Sequence, residues 1–411
     1  MLILGVETSC DETAIAILEE KNDNFSVLSN AISSQVALHA TWGGVVPNLA
    51  AREHLKNIIP VLKSALKEAD KKIADIDLIA VTQGPGLIPA LLIGTNFAKT
   101  ISYLWQKPLL GIHHIEGHIY ANFICDEISV NSKFQIPNDK QIQKIQISNS
   151  IQDTKYKIQN TTPEFPILSL VVSGGHTQLI LMADHFKYKI IGETQDDAAG
   201  ETFDKVARIL GLGYPGGPNI ATQATNFKFQ TSNLKSKVND SISNDEKTPK
   251  GNIKPFLPRP MLHSKDFNFS FSGLKTAVLY KVKDYRKENN LKETEDLPEK
   301  FTQKMAYEFQ EAASDVLVFK TIQAALKYNP QTIFLAGGVS ANDNLRKKLN
   351  LAVLKNVPHI NYQMQPTIYS TDNAVMIAIA ASYRWSKMNL RQKKKTLTNW
   401  KDIEANAQLK L

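Results

Sequence analysis

The chain is poor in cysteine: only Cys10 and Cys125 occur in 411 residues, and they form no C-x-x-C pair. A disulfide framework is therefore not expected, and a reducing cytoplasm is the simplest home. Long apolar runs are missing too. None approaches the roughly 18 residues that a membrane span needs. The short run Met1–Val6 has no basic flank and acidic residues follow at once, so no secretory leader is expected. No glycine-rich turn ends in Gly-Lys-Ser, which excludes a P-loop, and no H-E-x-x-H helix occurs.

What is present suits a two-lobed globular protein. A length of 411 residues can bury two substantial cores, and 43% hydrophobic with 21% charged residues is an ordinary balance for such a fold. The net charge of +8 admits an anionic partner such as RNA, but the charge is spread along the chain and marks no single face.

The stretch Gly111-Ile112-His113-His114-Ile115-Glu116-Gly117-His118 organises the rest. His114 and His118 are four residues apart, so a helix places them on one face, within reach of one metal ion or as a plain surface pair. In a zinc-protease helix the general-base Glu directly follows the first His. Glu116 comes two residues after His114, about 200° round the helix, and should point away from any metal. A third ligand must come from elsewhere.

Leu2–Val6 and Thr13–Leu18 read as buried strands joined by the polar turn Glu7-Thr8-Ser9-Cys10-Asp11-Glu12. Val45 to Ala69 reads as a helix kinked at Pro60, with Arg52 and His54 on its solvated side. Asp77–Val81 leads through Gly84-Pro85-Gly86 into a helix from Ile88 to Leu104, and Pro108–Ile112 is a strand entering the histidine helix. Residues 128–160 and about 226–251 are rich in Lys, Asn, Ser and Gln without period, and read as polar surface insertions. Between them Ile167–Val172 is a strand ending in Ser173-Gly174-Gly175-His176-Thr177, followed by the strand Gln178–Met182. Glycines there let backbone N–H groups approach an anion closely. Asp197 to Leu210 reads as a helix with Asp197, Glu201 and Asp204 on one face, followed by a glycine-rich turn from Gly211 to Pro218.

Phe267 to Gly273 reads as a strand running into a helix that carries Lys275. A long helix spans Phe301 to Leu326, and Thr332–Leu335 is a strand whose Gly337-Gly338 turn opens a helix past Asn342. Asp372, before the apolar helix Ala374–Ala381, is the natural candidate for the third ligand, or a plain N-cap. The tail beyond Arg384 is basic and carries no motif.

Together these stretches resemble the tRNA N6-adenosine threonylcarbamoyltransferase family, formerly called O-sialoglycoprotein endopeptidase. The resemblance rests on Glu-Thr-Ser-Cys-Asp-Glu-Thr at 7–13, Gly-Pro-Gly-Leu at 84–87, His-His-Ile-Glu-Gly-His at 113–118 and Ser-Gly-Gly-His-Thr at 173–177. It continues through Asp-Asp-Ala-Ala-Gly-Glu at 196–201, Phe-Ser-Gly-Leu-Lys-Thr at 271–276, Gly-Gly-Val-Ser-Ala-Asn at 337–342 and Thr-Asp-Asn at 371–373. It implies an α/β protein of the actin-like ATPase/sugar kinase/Hsp70 fold, with two ribonuclease-H-like lobes around a nucleotide cleft. Residues 1–127, completed by helix 373–390, would form the first lobe and 161–372 the second, leaving 391–411 as a basic tail.

The resemblance further implies iron(II), one per subunit, on His114, His118 and Asp372. Substrate contacts would come from Val171, Val172, Ser173, Gly174, Gly175, Asp204, Gly217 and Asn342. The implied reaction passes a threonylcarbamoyl group from threonylcarbamoyl-adenylate to an adenosine beside the tRNA anticodon, releasing AMP. Implied partners are tRNA, a paralogous non-catalytic subunit, a small ATPase and an adenylate-forming synthase upstream, with no membrane. Asp11, Glu12 and Glu201 are available as bases, with Lys275 a further catalytic candidate. The expectation is that no dedicated base of high pKa is needed, because AMP leaves readily. The chain departs from the family pattern at Ala221, where many relatives have an Asp, and at Thr398-Asn399-Trp400, where they have Pro-Arg-Trp. A small-molecule kinase of the same fold, a metalloendopeptidase and an actin-type assembly protein are the competing readings.

Overall fold

The computed structural model describes residues 1–22, 24–124, 163–239 and 256–411, without the side chains of 230–239 and 399. Residues 128–160 and 240–251, expected to be insertions, lie outside the described residues, as does Cys125.

The first sheet grows from the N-terminus. Strands β1 (Leu2–Glu7), β2 (Glu12–Lys21) and β3 (Asn24–Ser34) form an antiparallel meander. Two helices follow, the short α1 (Val36–Ala40) and the long α2 (Pro47–Glu68). Strand β4 (Leu78–Gly84), helix α3 (Ile88–Trp105) and strand β5 (Leu109–His113) then add two parallel strands, giving the order β3-β2-β1-β4-β5. Helix α4 (His114–Tyr120) starts directly from the last strand.

The second sheet repeats that plan. Strands β6 (Ile167–Val172), β7 (Thr177–Asp184) and β8 (Lys187–Glu193) form a second meander. Helices α5 (Ala199–Ile209), α6 (Gly216–Asn239), α7 (Ser272–Glu288) and α8 (Glu299–Tyr328) follow. Strand β9 (Thr332–Ala336), helix α9 (Asp343–Asn356) and strand β10 (Asn361–Met364) complete a sheet of order β10-β9-β6-β7-β8. Two sheets with one topology, each with three antiparallel strands followed by two parallel ones, make the two lobes related units. The chain closes with α10 (Ala374–Lys387) and α11 (Leu390–Lys395).

Strand alternation divides the apolar residues between layers. Leu4, Val6, Ile15, Ile17, Ile79 and Val81 face Ile58 and Leu62 of α2 and Ala98 of α3. Their alternates Ile3, Ala14, Ala16, Leu78 and Ala80 face α10, whose residues Ala374 to Ala381 are all fully buried. The second sheet does the same: Leu168, Leu170 and Val172 pack under α5, α7 and α8, while Ile167, Val171, Ile180 and Met182 join the cluster around α4 and α10. Helices α4 and α10 thus lie in apolar core shared by the two sheets.

Several expectations need adjusting. The stretch 226–239, read as insertion, continues helix α6. Asp197 precedes α5 and so does not share a helical face with Glu201 and Asp204. The Phe267–Gly273 strand reduces to one bridge between Thr194 and Phe269. The basic tail is docked on the first lobe: Ile403 is buried, the Trp400 and Tyr103 rings are tilted against each other with centroids 5.1 Å apart, and Leu109 N–H donates to the Thr396 carbonyl at 3.2 Å along the β5 edge.

Candidate metal centre and cleft

Helix α4 begins without a break after β5 because His113 caps it: the His113 Nδ1 accepts from Ile115 N–H at 3.2 Å. That fixes where His114 and His118 emerge, their rings edge-on with centroids 4.6 Å apart. Asp372 arrives from the other end of the chain. The N-cap of α10 is Asn373, whose Oδ1 accepts from Met376 N–H at 3.0 Å, while its Nδ2 donates to the carbonyls of Tyr369 and Thr371. With the cap supplied by its neighbour, Asp372 is free to reach the histidines. Its Oδ1 lies 3.5 Å from His114 Nε2 and 3.2 Å from His118 Nε2.

These three side chains could hold one metal ion, since their ligand atoms all lie within 4.8 Å of one another. His118 is fully buried, and neither ring nitrogen makes a well-formed hydrogen bond; its Nε2 faces only the Asp372 carboxylate at 3.2 Å, a gap that a coordinated cation would fill. The back of His114 is held as metal-ligating histidines usually are. Its Nδ1 lies 3.2 Å from Ser9 Oγ and 3.3 Å from Glu7 Oε2, and the buried Glu7 also accepts from Ser9 N–H and Thr82 Oγ1. Burial pushes His114 down, but the charges of Asp372 and Glu7 outweigh it and raise its pKa to about 9. Asp372 is held at about 2, burial being outweighed by His114 and His118. The point between them favours positive charge. Glu116, in contrast, points away and is engaged by Arg384, so it cannot serve there as a protease base.

The polar turn after β1 packs beside this centre, and its conformation is fixed by a histidine expected to be solvated. His54 is fully buried; its Nε2 donates to the Cys10 carbonyl at 3.1 Å, and its Nδ1 accepts from Thr13 Oγ1 at 2.8 Å. Asp11 is buried and accepts from Tyr214 Oη at 3.3 Å. Glu12 accepts from Ser34 Oγ at 3.2 Å, and burial with the charges of Asp11 and Asp372 raises its pKa well above the usual range.

Across the cleft, Val171 and Val172 are buried at the end of β6 and deliver the Ser173–Gly175 turn. Ser173 N–H donates to the His176 carbonyl at 2.8 Å, while Gly200 and Glu201 N–H donate to the carbonyls of Ser173 and Gly174, seating the turn on the start of α5. A side chain on Gly174, Gly175 or Gly217 would meet nothing within 4 Å, so these faces are open to a ligand. At Gly337 (φ 87°) an added Cβ would stand 2.5 Å from the Val172 carbonyl, which brings the β9 turn against the β6 turn. His176, on the same turn, falls to about 4 through burial and the positive charge of His114 and His118, so turn and metal centre share one electrostatic environment.

Asp204 and Gly217 meet where α5 adjoins α6. The Asp204 Oδ1 accepts from Gly216 N–H at 2.7 Å, and burial raises its pKa. Asn342 caps α9, accepting from Leu345 N–H at 3.0 Å and donating to Gln310 at 2.8 Å. Each is partly committed to the fold: the Asp204 carboxylate is also approached by the Gly217 backbone N–H, and Asn342 has one amide N–H beyond its two bonds. Lys275 contacts Asp197 at 2.6 Å, and Asp197 also pairs with Lys205 at 2.8 Å. The structure therefore joins Asp11 and Glu12 to the metal centre and the glycine turns to each other, while Lys275 belongs to a separate ion-pair network. Glu7, Ser9, Thr82 and His54 were not singled out by spacing. The signal available was the clustering of Glu7 and Ser9 in a polar turn between apolar strands.

Known proteins sharpen this picture. A family described as TsaD, tRNA N6-adenosine threonylcarbamoyltransferase, matches residues 26–131 and 149–379. The tRNA N6-adenosine threonylcarbamoyltransferase of Persephonella marina is 42% identical over 392 residues, covering 94% of this chain and 91% of that protein. The protein of that name in Thermosipho africanus is 43% identical over 387 residues, covering 94% and 95%. Among solved structures, full-length HypF in its phosphate- and nucleotide-bound form matches 93% of this chain and 46% of its own, with a TM-score of 0.50 and 10% identity, a likeness of fold alone.

Proposed function

The chain belongs to the tRNA N6-adenosine threonylcarbamoyltransferase family, and from that premise we propose how its cleft carries out the reaction. The protein is a transferase of the actin-like ATPase/sugar kinase/Hsp70 fold. It moves the threonylcarbamoyl group from threonylcarbamoyl-adenylate to the N6 amine of the adenosine 3′ of the anticodon in tRNAs reading codons that begin with A, forming N6-threonylcarbamoyladenosine and AMP. The observation that carries the reading is the His114–His118–Asp372 group set across one cleft from glycine turns whose faces are open.

Two imidazoles and one carboxylate suit iron(II), one per subunit. When bound, iron would polarise the acyl end of the donor. The adenylate end rests on the Val171–Gly175 and Gly217 backbones, where no side chain keeps the phosphate away. The second oxygen of Asp204 takes a ribose hydroxyl and the remaining amide N–H of Asn342 a polar edge of the nucleotide. Asp11 and Glu12 border the acceptor amine; AMP leaves without a dedicated strong base, and Lys275 acts only through Asp197. An alanine scan of Asp11, Glu12 and Glu201 tests this. One loss as deep as that of a metal ligand would identify a base and overturn it.

Partners follow from the same reading: tRNA, a paralogous non-catalytic subunit, a small ATPase and an adenylate-forming synthase upstream. The exposed apolar pairs Leu55 and Ile59 on α2, and Ile88 and Leu92 on α3, offer a docking face of the kind a subunit would cover. No helix among the described residues is long and apolar enough to cross a membrane, in keeping with a cytoplasmic site of action. Mass spectrometry of tRNA nucleosides after depletion of the protein decides the main claim: threonylcarbamoyladenosine should fall, and an unchanged level would refute it.

A further inference from the structure

The elements that carry the three metal ligands are tied to each other by a further ion pair, its carboxylate buried and its guanidinium partly exposed. Glu116 lies between His114 and His118 on α4 and is 1% exposed. Arg384 Nη2 reaches both of its carboxylate oxygens, at 2.8 and 2.6 Å. Arg384 belongs to α10, the helix that starts directly after Asp372 and Asn373. Its guanidinium also lies over the Phe186 ring, 4.7 Å from the centroid, which restricts where it can present its nitrogens. Between the pair and the ligands, Gly117 sits flush on α10; a Cβ there would stand 2.8 Å from Ile377 Cδ1.

We propose that Glu116 and Arg384 are positioning residues for the metal centre, fixing the rotation of α4 about its own axis and hence the spacing of the two imidazoles from Asp372. The inference rests on the metal reading given above. Helix α4 is a short element of seven residues, His114–Tyr120, with little hydrogen-bonded length to hold its orientation. A side-chain tip about 6 Å from a helix axis moves about 1 Å for each 10° of rotation. Metal–ligand distances tolerate only about 0.2 Å. Apolar packing at Gly117 sets how closely α4 approaches α10 but resists rotation weakly. An ion pair on the face opposite the imidazoles, about 200° round from His114, resists it directly. An apolar pair of equal volume would serve stability as well; its loss of direction is what the pair avoids.

The test is titration of the full chain with Co2+ alone, following affinity and the visible absorption bands that report ligand geometry. Melting of the metal-free protein by circular dichroism is followed in parallel. Wild type should bind, while Glu116→Gln and Arg384→Met should weaken Co2+ about 10- to 100-fold and shift the bands, at temperatures where each is folded. Arg384→Lys, which keeps the charge with a shorter reach, should recover part of the affinity, and it decides alone if Glu116→Gln does not fold. Wild-type affinity and unchanged bands in the variants, even with a lowered melting point, would overturn the proposal. Absence of Co2+ binding by wild type would instead overturn the metal reading on which it stands.

Discussion

Asp372 can serve as a ligand because Asn373 does the capping. Had Asp372 capped α10, its carboxylate would have been spent on a first-turn amide rather than turned toward His114 and His118. Asp372→Asn, which keeps the shape and removes the charge, should therefore lose metal and transfer activity together, with the folded state retained. Metal analysis beside a tRNA transfer assay checks this, and retained metal would break the assignment. The His pair was legible from its spacing; Asp372 was legible as a candidate at a helix start, but nothing local separates a ligand from a cap and the resemblance chose between them. The roles of His54 and Glu7 were illegible for a different reason. Their partners lie far off in sequence, Cys10 for His54 and Thr82 and His114 for Glu7, and periodicity reports burial only along one element.

Asp197 supplies a second prediction at this scale. Burial would raise its pKa, but hydrogen bonds from Lys205 and Lys275 outweigh that and hold it below the usual carboxylate range. A carboxylate depressed in the folded state stabilises the protein above its unfolded value of about 3.9, and that contribution is lost as pH falls through the lower folded value. Lys275→Met should thus cost about 1 kcal/mol near neutrality, a modest figure because the pair is partly exposed. The gap to wild type in chemical denaturation should close as pH falls below about 4. A gap that does not narrow as pH falls would show that Lys275 acts through packing.

At the scale of elements, the tail shows what composition conceals. Its basic run becomes α11, opened by the reciprocal Asn389 and Gln392 cap, and the residues beyond run along β5. Asn406 N–H donates to the Gln83 carbonyl at 2.9 Å, and His113 Nε2 donates to the Leu409 carbonyl at 3.0 Å. The tail thus covers an edge strand that would otherwise present unpaired backbone groups, and it braces the residue that caps α4. Deletion of residues 404–411 removes both bonds and the packing of Leu411 against the shared core. It should cost about 2–3 kcal/mol, from two hydrogen bonds at about 1 each and a partly buried leucine. The urea midpoint measures it; an unmoved midpoint would make the tail a passive appendage. Core strands such as Ile167–Val172 were readable because both faces are buried and the sequence is apolar at every position but Ser169. Edge strands β3 and β8 mix polar residues with apolar ones and gave no such signal.

At the scale of the whole molecule, the repeated sheet order gives two related units that bound the cleft. Two described contacts join the lobes near the opening. Arg208, in the last turn of α5, donates through Nη2 to the Gly43 carbonyl in the loop before α2, and Tyr214 Oη donates to Asp11. Gly43 and Gly44 both adopt positive φ, 68° and 155°, which turns the loop carbonyl toward the other lobe. Arg208→Ala leaves both cores intact and removes one charge-assisted bond, worth about 1 kcal/mol after discounting for its exposure. If that bond favours the closed arrangement, its loss acts on binding of the donor rather than on the chemical step. The apparent KM for threonylcarbamoyl-adenylate should rise about 3- to 10-fold with kcat within about twofold and a melting point lowered by less than about 2 °C. Arg208→Lys should recover part of the affinity by reaching the same carbonyl. An unchanged KM would show that the lobes hold their arrangement without this strut, and a fall in kcat alone would place Arg208 in the chemistry.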